Sequence, residues 1–316
     1  MHLDFAEELS AIIATLYGQE LQAETLKRTP EFPGVRVCDI PGEGDISSSA
    51  PFKLAKLYRA QLQRLVSPVE ISERIIQGFA GSKNFTLMRG GQGFLNATAT
   101  DNWKQQFLLL VLEQPWEALL SRLQVSTAVI SPIDLRQLIR SINFEPLELL
   151  VQVRGDVAAF SANDYLMALA LIADRELDAN AYLKNLNGRR NIPWFIKYFL
   201  NQSSQYTLDE KTRRELIGRL NPLQLFGCLE FLPLWTTLFA VRHNFELAQR
   251  LRQPEILVRE IVNLGRAFFY YYNSPKVRAE LALNTNSKYR LITNIVHELA
   301  RFLLRTLRVN YREISE

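Results

Sequence analysis

Histidine and cysteine are scarce in this chain. It has three histidines, His2, His243 and His297, no two of them close in sequence. Its two cysteines, Cys38 and Cys228, sit far apart and form no Cys-x-x-Cys pair. Zincin spacing, a zinc finger and a disulfide framework are excluded, and buried thiols are expected. There is no Gly-x-Ser-x-Gly elbow and no Cys and His arrangement for nucleophilic catalysis. The glycine cluster Gly90-Gly91-Gln92-Gly93 lacks the Lys and Ser/Thr of a phosphate loop, and no helix pattern follows it directly. The close carboxylates Asp174 and Glu176 have no distinctive context and read as helix-end charges. No apolar run reaches the ~20 residues of a membrane helix; even Leu225 to Ala240 is broken by Glu230 and Pro233. The first residues, MHLDFAEELS, carry acids where a signal peptide carries basic residues, so a cytoplasmic protein is expected.

With 316 residues, 47% hydrophobic and 22% charged, the chain can bury a sizeable core and divide into two or three domains. The 37 basic and 33 acidic residues leave a net charge of +4, which permits nucleic-acid binding without demanding it. Basic residues cluster in the last helix and at Arg242, Arg250, Arg252, Arg259 and Arg266.

Hydropathy spacing predicts an amphipathic helix over Leu3 to Gln19, with Phe5, Leu9, Ile12, Ile13 and Leu16 on one face. A short strand is expected over Val35 to Ile40, and Asp45 to Ser49 offers N-cap side chains for a helix carrying Lys53, Lys56 and Arg59. Pro68 should start a helix through Phe79, and Phe85 to Ala99 should be a strand pair around the glycine cluster. Pro115 to Asp156 offers two β-rich runs, Val125 to Ile130 and Leu147 to Val153, around a helix begun at Ser131-Pro132, which suggests a small βαβ piece. From Asn163 the chain reads as helical, and Trp194 and Tyr198 share a helix face at i, i+4. In the last helix Leu291, Ile295, Leu299, Phe302 and Thr306 form one stripe. Arg290, Asn294, His297, Arg301, Arg305 and Arg308 form another, a basic ridge away from the core that either meets phosphate or is a solvated face.

Several of these stretches form a pattern. Ala267-Phe268-Phe269-Tyr270-Tyr271-Tyr272-Asn273, then Val277, then Arg290-Leu291 opening a long final helix, resembles the DALR anticodon-binding domain that closes arginyl-tRNA synthetases. Asp164 to Leu169 is similar to the segment that opens that region. Asn191-Ile192-Pro193-Trp194-Phe195-Ile196-Lys197-Tyr198 is similar to the family's Asn-Pro-x-x-Tyr-Val-Gln-Tyr helix, with Ile192 inserted and Lys197 in place of glutamine. Toward the N-terminus, Gly44-Asp45, Leu54-Ala55-Lys56, Ser67-Pro68 and Gly91-Gln92-Gly93-Phe94-Leu95-Asn96 follow the order of the synthetases' N-terminal domain. The resemblance covers 1–113 and 163–314.

The resemblance implies a mainly α fold with a small α+β N-terminal domain and a C-terminal all-helical bundle. Its domains would be 1–114, a linker or remnant segment 115–160 where the family keeps its catalytic domain, and 161–316. It implies tRNA-elbow contacts at Phe94, Asn96, Lys53 and Lys56. The anticodon arm would be met by Trp194, Tyr198, Tyr272, Asn273, Arg290, Arg301, Arg305 and Arg308. Read from the residues alone, Phe94 and Asn96 are equally a strand-core aromatic and a turn cap, and Trp194 and Tyr198 equally pack on a neighbouring helix. The family's adenylating His-x-Gly-His element is absent, and Ala162 stands where the lysine loop would place its lysine. Such motifs supply the positioned charge that adenylation requires. The implied protein is therefore no enzyme, has no cofactor and no metal, and takes tRNA as its partner, tRNA-Arg being the family's own. The alternative expectation is a protein scaffold that lost RNA binding and uses 115–160 as its interface.

Overall fold

The computed structural model describes residues 2–21, 33–38, 43–122, 145–155, 160–221, 225, 229–283 and 288–309. The chain divides into two compact units, Met1–Leu108 and Leu109–Glu316. The expected fold class holds: mainly helical, with one small antiparallel sheet.

The first unit begins with helix α1 (His2–Tyr17), then strands β1 (Val35–Val37) and β2 (Ile46–Ser48). Helices α2 (Ala50–Leu62) and α3 (Pro68–Phe79) follow, then the hairpin β3 (Phe85–Gly90) and β4 (Phe94–Ala99). Strand order is β1-β2-β4-β3, with Ile46 and Leu87 flanking Ala97 in register. Phe5 of α1 meets Phe79 and Phe85 at ring-centroid distances of 5.9 and 5.4 Å, which joins helices and sheet in one apolar core. Helix α3 starts where Ser67 accepts a hydrogen bond from the Val69 amide at 3.2 Å and Pro68 takes the first turn, which needs no amide donor. Gly93 adopts φ +120 in the hairpin turn, and a Cβ there would lie 2.9 Å from the Pro68 carbonyl carbon, so both backbone and space require glycine.

Three expectations change in this unit. Asp45 to Ser49 serves only in part as caps: Ile46–Ser48 is a paired strand, while Ser49 is the N-cap residue of α2 and the Ser48 hydroxyl accepts from the Ala50 amide at 3.1 Å. Asp45 accepts from the Ala99 amide at 2.9 Å and pairs with Lys104 at 3.3 Å, so its carboxylate serves the sheet and the next helix, α4 (Asp101–Glu113). Leu16 is 40% exposed although its spacing placed it on the core face. Cys38, expected buried, is half-buried.

The second unit takes in the last residues of α4, then α5 (Trp116–Arg122), α6 (Glu145–Arg154), α7 (Ala162–Ala173), α8 (Ala179–Leu183), α9 (Ile192–Ser204) and α10 (Glu210–Arg219). A 3-10 turn at Leu229–Phe231 leads into α11 (Leu232–Leu251), α12 (Glu255–Tyr272), α13 (Pro275–Ala282) and α14 (Lys288–Thr306). The Leu147–Val153 run, read as β, lies inside helix α6, with Leu147 and Leu150 buried one turn apart. Arg154, the last residue of this helix, donates to Asp164 of α7 at 2.8 Å. Burial alone would raise the Asp164 carboxyl, but hydrogen bonds from Tyr182, Ser161 and Arg154 outweigh it and hold the group below its ordinary range. The Val125–Ile130 run and the Ser131-Pro132 start lie outside the described residues.

Helix α12 packs against α7, α9, α11 and α14. At its contact with α9, a Cβ on Gly265 would lie 2.8 Å from Phe195 Cε1 and 3.2 Å from Phe199 Cδ1. Glycine normally weakens a helix, but here it sets the distance between two helices. Gly265→Ala is therefore expected to destabilise the bundle by about 1–3 kcal/mol through overpacking, read as a lower urea midpoint at unchanged m. A gain in stability would show that helix propensity outweighs this contact.

Candidate RNA-binding cleft

Along α12 the exposed residues are Arg259, Asn263, Arg266, Tyr270 and Asn273, spaced 4, 3, 4 and 3, one stripe on an otherwise buried helix. The stripe's C-terminal half opens into a cleft of about 850 Å³. Its walls include Arg189, Trp194, Tyr198, Glu230, Arg266 and Phe269, with Tyr270, Tyr272 and Asn273 at the end of α12.

Local chemistry places these groups. Asn191 caps α9 by accepting from the Trp194 amide at 3.1 Å, and Pro193 occupies the first turn, so the Asn-Ile-Pro-Trp run fixes where Trp194 leaves the helix. Trp194 and Tyr198, one turn apart, stack at 5.2 Å and 6°. Tyr198 in turn stacks on Phe269 of α12 at 5.2 Å and 16°. The result is a three-ring stack whose middle ring is 42% exposed. Tyr272 is held from two sides, by Phe268 at 5.4 Å and by Tyr206 at 6.3 Å. Burial, then the hydrogen bond with Tyr272, raises the Tyr206 phenol. Arg189 and Arg266 are exposed and have no ion-pair partner among the described residues.

Four residues expected at the anticodon arm, Trp194, Tyr198, Tyr272 and Asn273, thus line one cleft. The other four do not join them. Helix α14 packs against α9, α12, α13, α5 and α10, so it has little free surface. Of its expected basic ridge, Asn294 and His297 are 1% and 3% exposed, which corrects their placement away from the core. Asn294 accepts from the Leu208 amide at 2.9 Å and donates to Glu298 at 2.9 Å. Arg290 donates to the Thr207 carbonyl at 3.4 Å, so with Asn294 it holds the chain leaving α9. Arg301 and Arg305 are exposed, but Arg305 is bonded to Glu117 of α5. Arg308 lies beyond the helix end at φ +58 and is not part of a helical stripe.

In the first unit, Phe94 packs on Phe52 of α2 at 4.8 Å, on the same helix as Lys53 and the exposed Lys56. Asn96 is 3% exposed and donates to Glu43 at 3.1 Å. It occupies space that Gly90 leaves open, since a Cβ there would lie 2.4 Å from Asn96 Nδ2.

Arg189, Glu230 and Tyr270 were not expected at a site. The spacing of Arg259, Arg266, Tyr270 and Asn273 is legible in the sequence, but it competes with the denser basic pattern of α14. Among the described residues, no group of three or more His, Cys, Asp or Glu is placed to hold a metal ion, and no helix is long and apolar enough to cross a membrane. Comparison of the chain with protein-family models, with curated proteins and with solved structures finds no match.

Proposed function

We propose that this chain is a non-catalytic tRNA-binding protein, related in descent to arginyl-tRNA synthetase, whose helical unit receives the anticodon arm in the α9–α12 cleft. One observation carries the reading: stacked, partly exposed aromatic rings and two exposed arginines, Arg189 and Arg266, line the same cleft. Single-stranded RNA is bound by this combination, bases stacking on aromatic faces and phosphates meeting Arg or Lys. In this reading Arg259, Arg266 and Arg189 supply phosphate contacts, and the α14 arginines contribute less because Arg305 is already paired. Phe94, Lys53 and Lys56 supply the elbow contact, with Asn96 positioning the Glu43 loop beneath it. An adaptor role for a tRNA-processing or modifying enzyme follows as the use of such a grip.

The test is tRNA binding measured across a salt series. Exchanging Arg259 and Arg266 for glutamine should make the log K against log salt slope shallower by roughly one to two units, since each arginine releases about one counterion. The change should weaken all tRNAs alike, because phosphate contacts carry no sequence information. Absence of measurable tRNA binding at low salt would overturn the reading and leave the protein scaffold in its place.

A further inference from the structure

The ring stack and the arginines account for binding but not for choice, because every base has a face to stack and every nucleotide has a phosphate. One group in the cleft fits neither role. Glu230 brings a carboxylate into a site otherwise suited to an anion, where it repels the backbone it would meet.

Its setting is rigid. Glu230 sits on the 3-10 turn Leu229–Phe231, and the next side chain, Phe231, is fully buried, stacked on Tyr271 at 5.2 Å and on Tyr289 at 5.6 Å. The carboxylate is therefore carried on an anchored turn. No hydrogen-bond donor reaches Glu230 among the described residues, and its one ion pair, with Lys276, is at 3.9 Å with the lysine side chain 58% exposed. A pair that long and that wet contributes little. The acceptor capacity of Glu230 is open toward the cleft it lines.

An ionised carboxylate only accepts, and it does so best from two parallel donors. Among RNA bases, guanine alone offers two adjacent donors on its Watson–Crick edge, the ring N1–H and the exocyclic amino group. Cytosine and adenine offer one amino group beside an acceptor, and uracil offers one ring N–H between two carbonyls that the carboxylate repels. We infer that Glu230 is the specificity-determining residue of the cleft and that it selects an unpaired guanine, held against the Trp194–Tyr198–Phe269 stack by a bidentate bond from its Watson–Crick edge. This rests on the reading of the cleft as an RNA site.

The test uses the full chain and RNA stem-loops identical except for one loop base, which is guanine, inosine, adenine, cytosine or uracil. A good bidentate base contact is worth roughly tenfold or more in discrimination. The guanine loop is therefore expected to bind roughly tenfold tighter than the uracil loop, and inosine, which keeps N1–H and loses the amino group, should fall between. Glu230→Gln should bring the guanine loop down to the level of the others, while circular dichroism and thermal unfolding stay as in the parent protein. Equal affinity for all five loops, or a guanine preference that survives Glu230→Gln, would overturn this inference and leave RNA binding standing. Failure of every loop and of intact tRNA to bind would overturn the RNA reading together with it.

Discussion

Alanine at both Trp194 and Tyr198 is expected to weaken tRNA and anticodon stem-loop binding at least tenfold, because it removes two of the three stacked rings. Base–aromatic stacking contributes roughly 1–3 kcal/mol per base, so losing one base platform already amounts to about tenfold. The fold should survive. Tyr198 is 42% exposed and Trp194 half-buried, whereas the buried Phe195 and Phe199, on the adjacent face of α9, keep their own contacts with Phe269 and Phe268 of α12. The double change to phenylalanine, which keeps both ring faces, should retain most of the affinity. Alanine variants that bind as tightly as the parent, with unfolding unchanged, would mean that the stack is only packing between α9 and α12.

A second large effect concerns pH, and it is hidden in the parent protein. Glu260 of α12 is 3% exposed, accepts from Asn244 at 2.6 Å and has its other carboxylate oxygen unpartnered among the described residues. Burial, only partly offset by Asn244 and by the charge of Arg259, raises this carboxyl to about 7. His297 of α14 is also buried, its Nδ1 2.9 Å from the Ser203 hydroxyl, and burial, aided by the charge of Arg301, pushes it down to about 4. The two shifts act on stability with opposite sign. Between its ordinary value of 4.5 and about 7, Glu260 binds more proton in the folded state, so stability falls as pH rises. Between about 4 and its ordinary 6.5, His297 binds more proton in the unfolded chain, so stability rises with pH. Each shift is worth about 3 kcal/mol across its window, so the two slopes nearly cancel over the range they share.

Glu260→Gln removes one slope. The variant should gain up to about 3 kcal/mol over the parent at pH 8 and little at pH 4, leaving a stability that climbs with pH up to the ordinary histidine range. His297→Gln should do the reverse, with stability falling as pH rises through the Glu260 window. Urea unfolding of the three proteins across a pH series reads both effects. A Glu260→Gln profile parallel to that of the parent would show that Glu260 titrates as an ordinary carboxyl and is not desolvated as its position requires.

Local signals in the sequence were sufficient for most elements. Ser67-Pro68 marks the start of α3, the glycines between Phe85 and Ala99 mark the hairpin, and Asn191 with Pro193 marks the start of α9, because caps, turns and first-turn prolines act within a few residues. The pairing of Trp194 with Tyr198 was legible for the same reason, being a matter of helical spacing. The failures share one cause, which is that they depend on neighbours distant in sequence. Leu147–Val153 is helical in a bundle where Arg154 finds Asp164, and the same apolar residues would suit a strand in another setting.

The charged faces divide in the same way. Sequence spacing by itself determined that α14 carries arginines on one stripe, whereas the stripe of Arg259, Asn263, Arg266, Tyr270 and Asn273 was singled out by its exposure. Which stripe meets solvent was decided only by the tertiary structure. Helix α14 is packed by five others, so Asn294 and His297 are buried and Arg305 finds Glu117, whereas one side of α12 is left uncovered beside the ring stack. Periodicity identifies the faces of a helix but does not say how many of them are covered, and coverage is a property of the whole bundle.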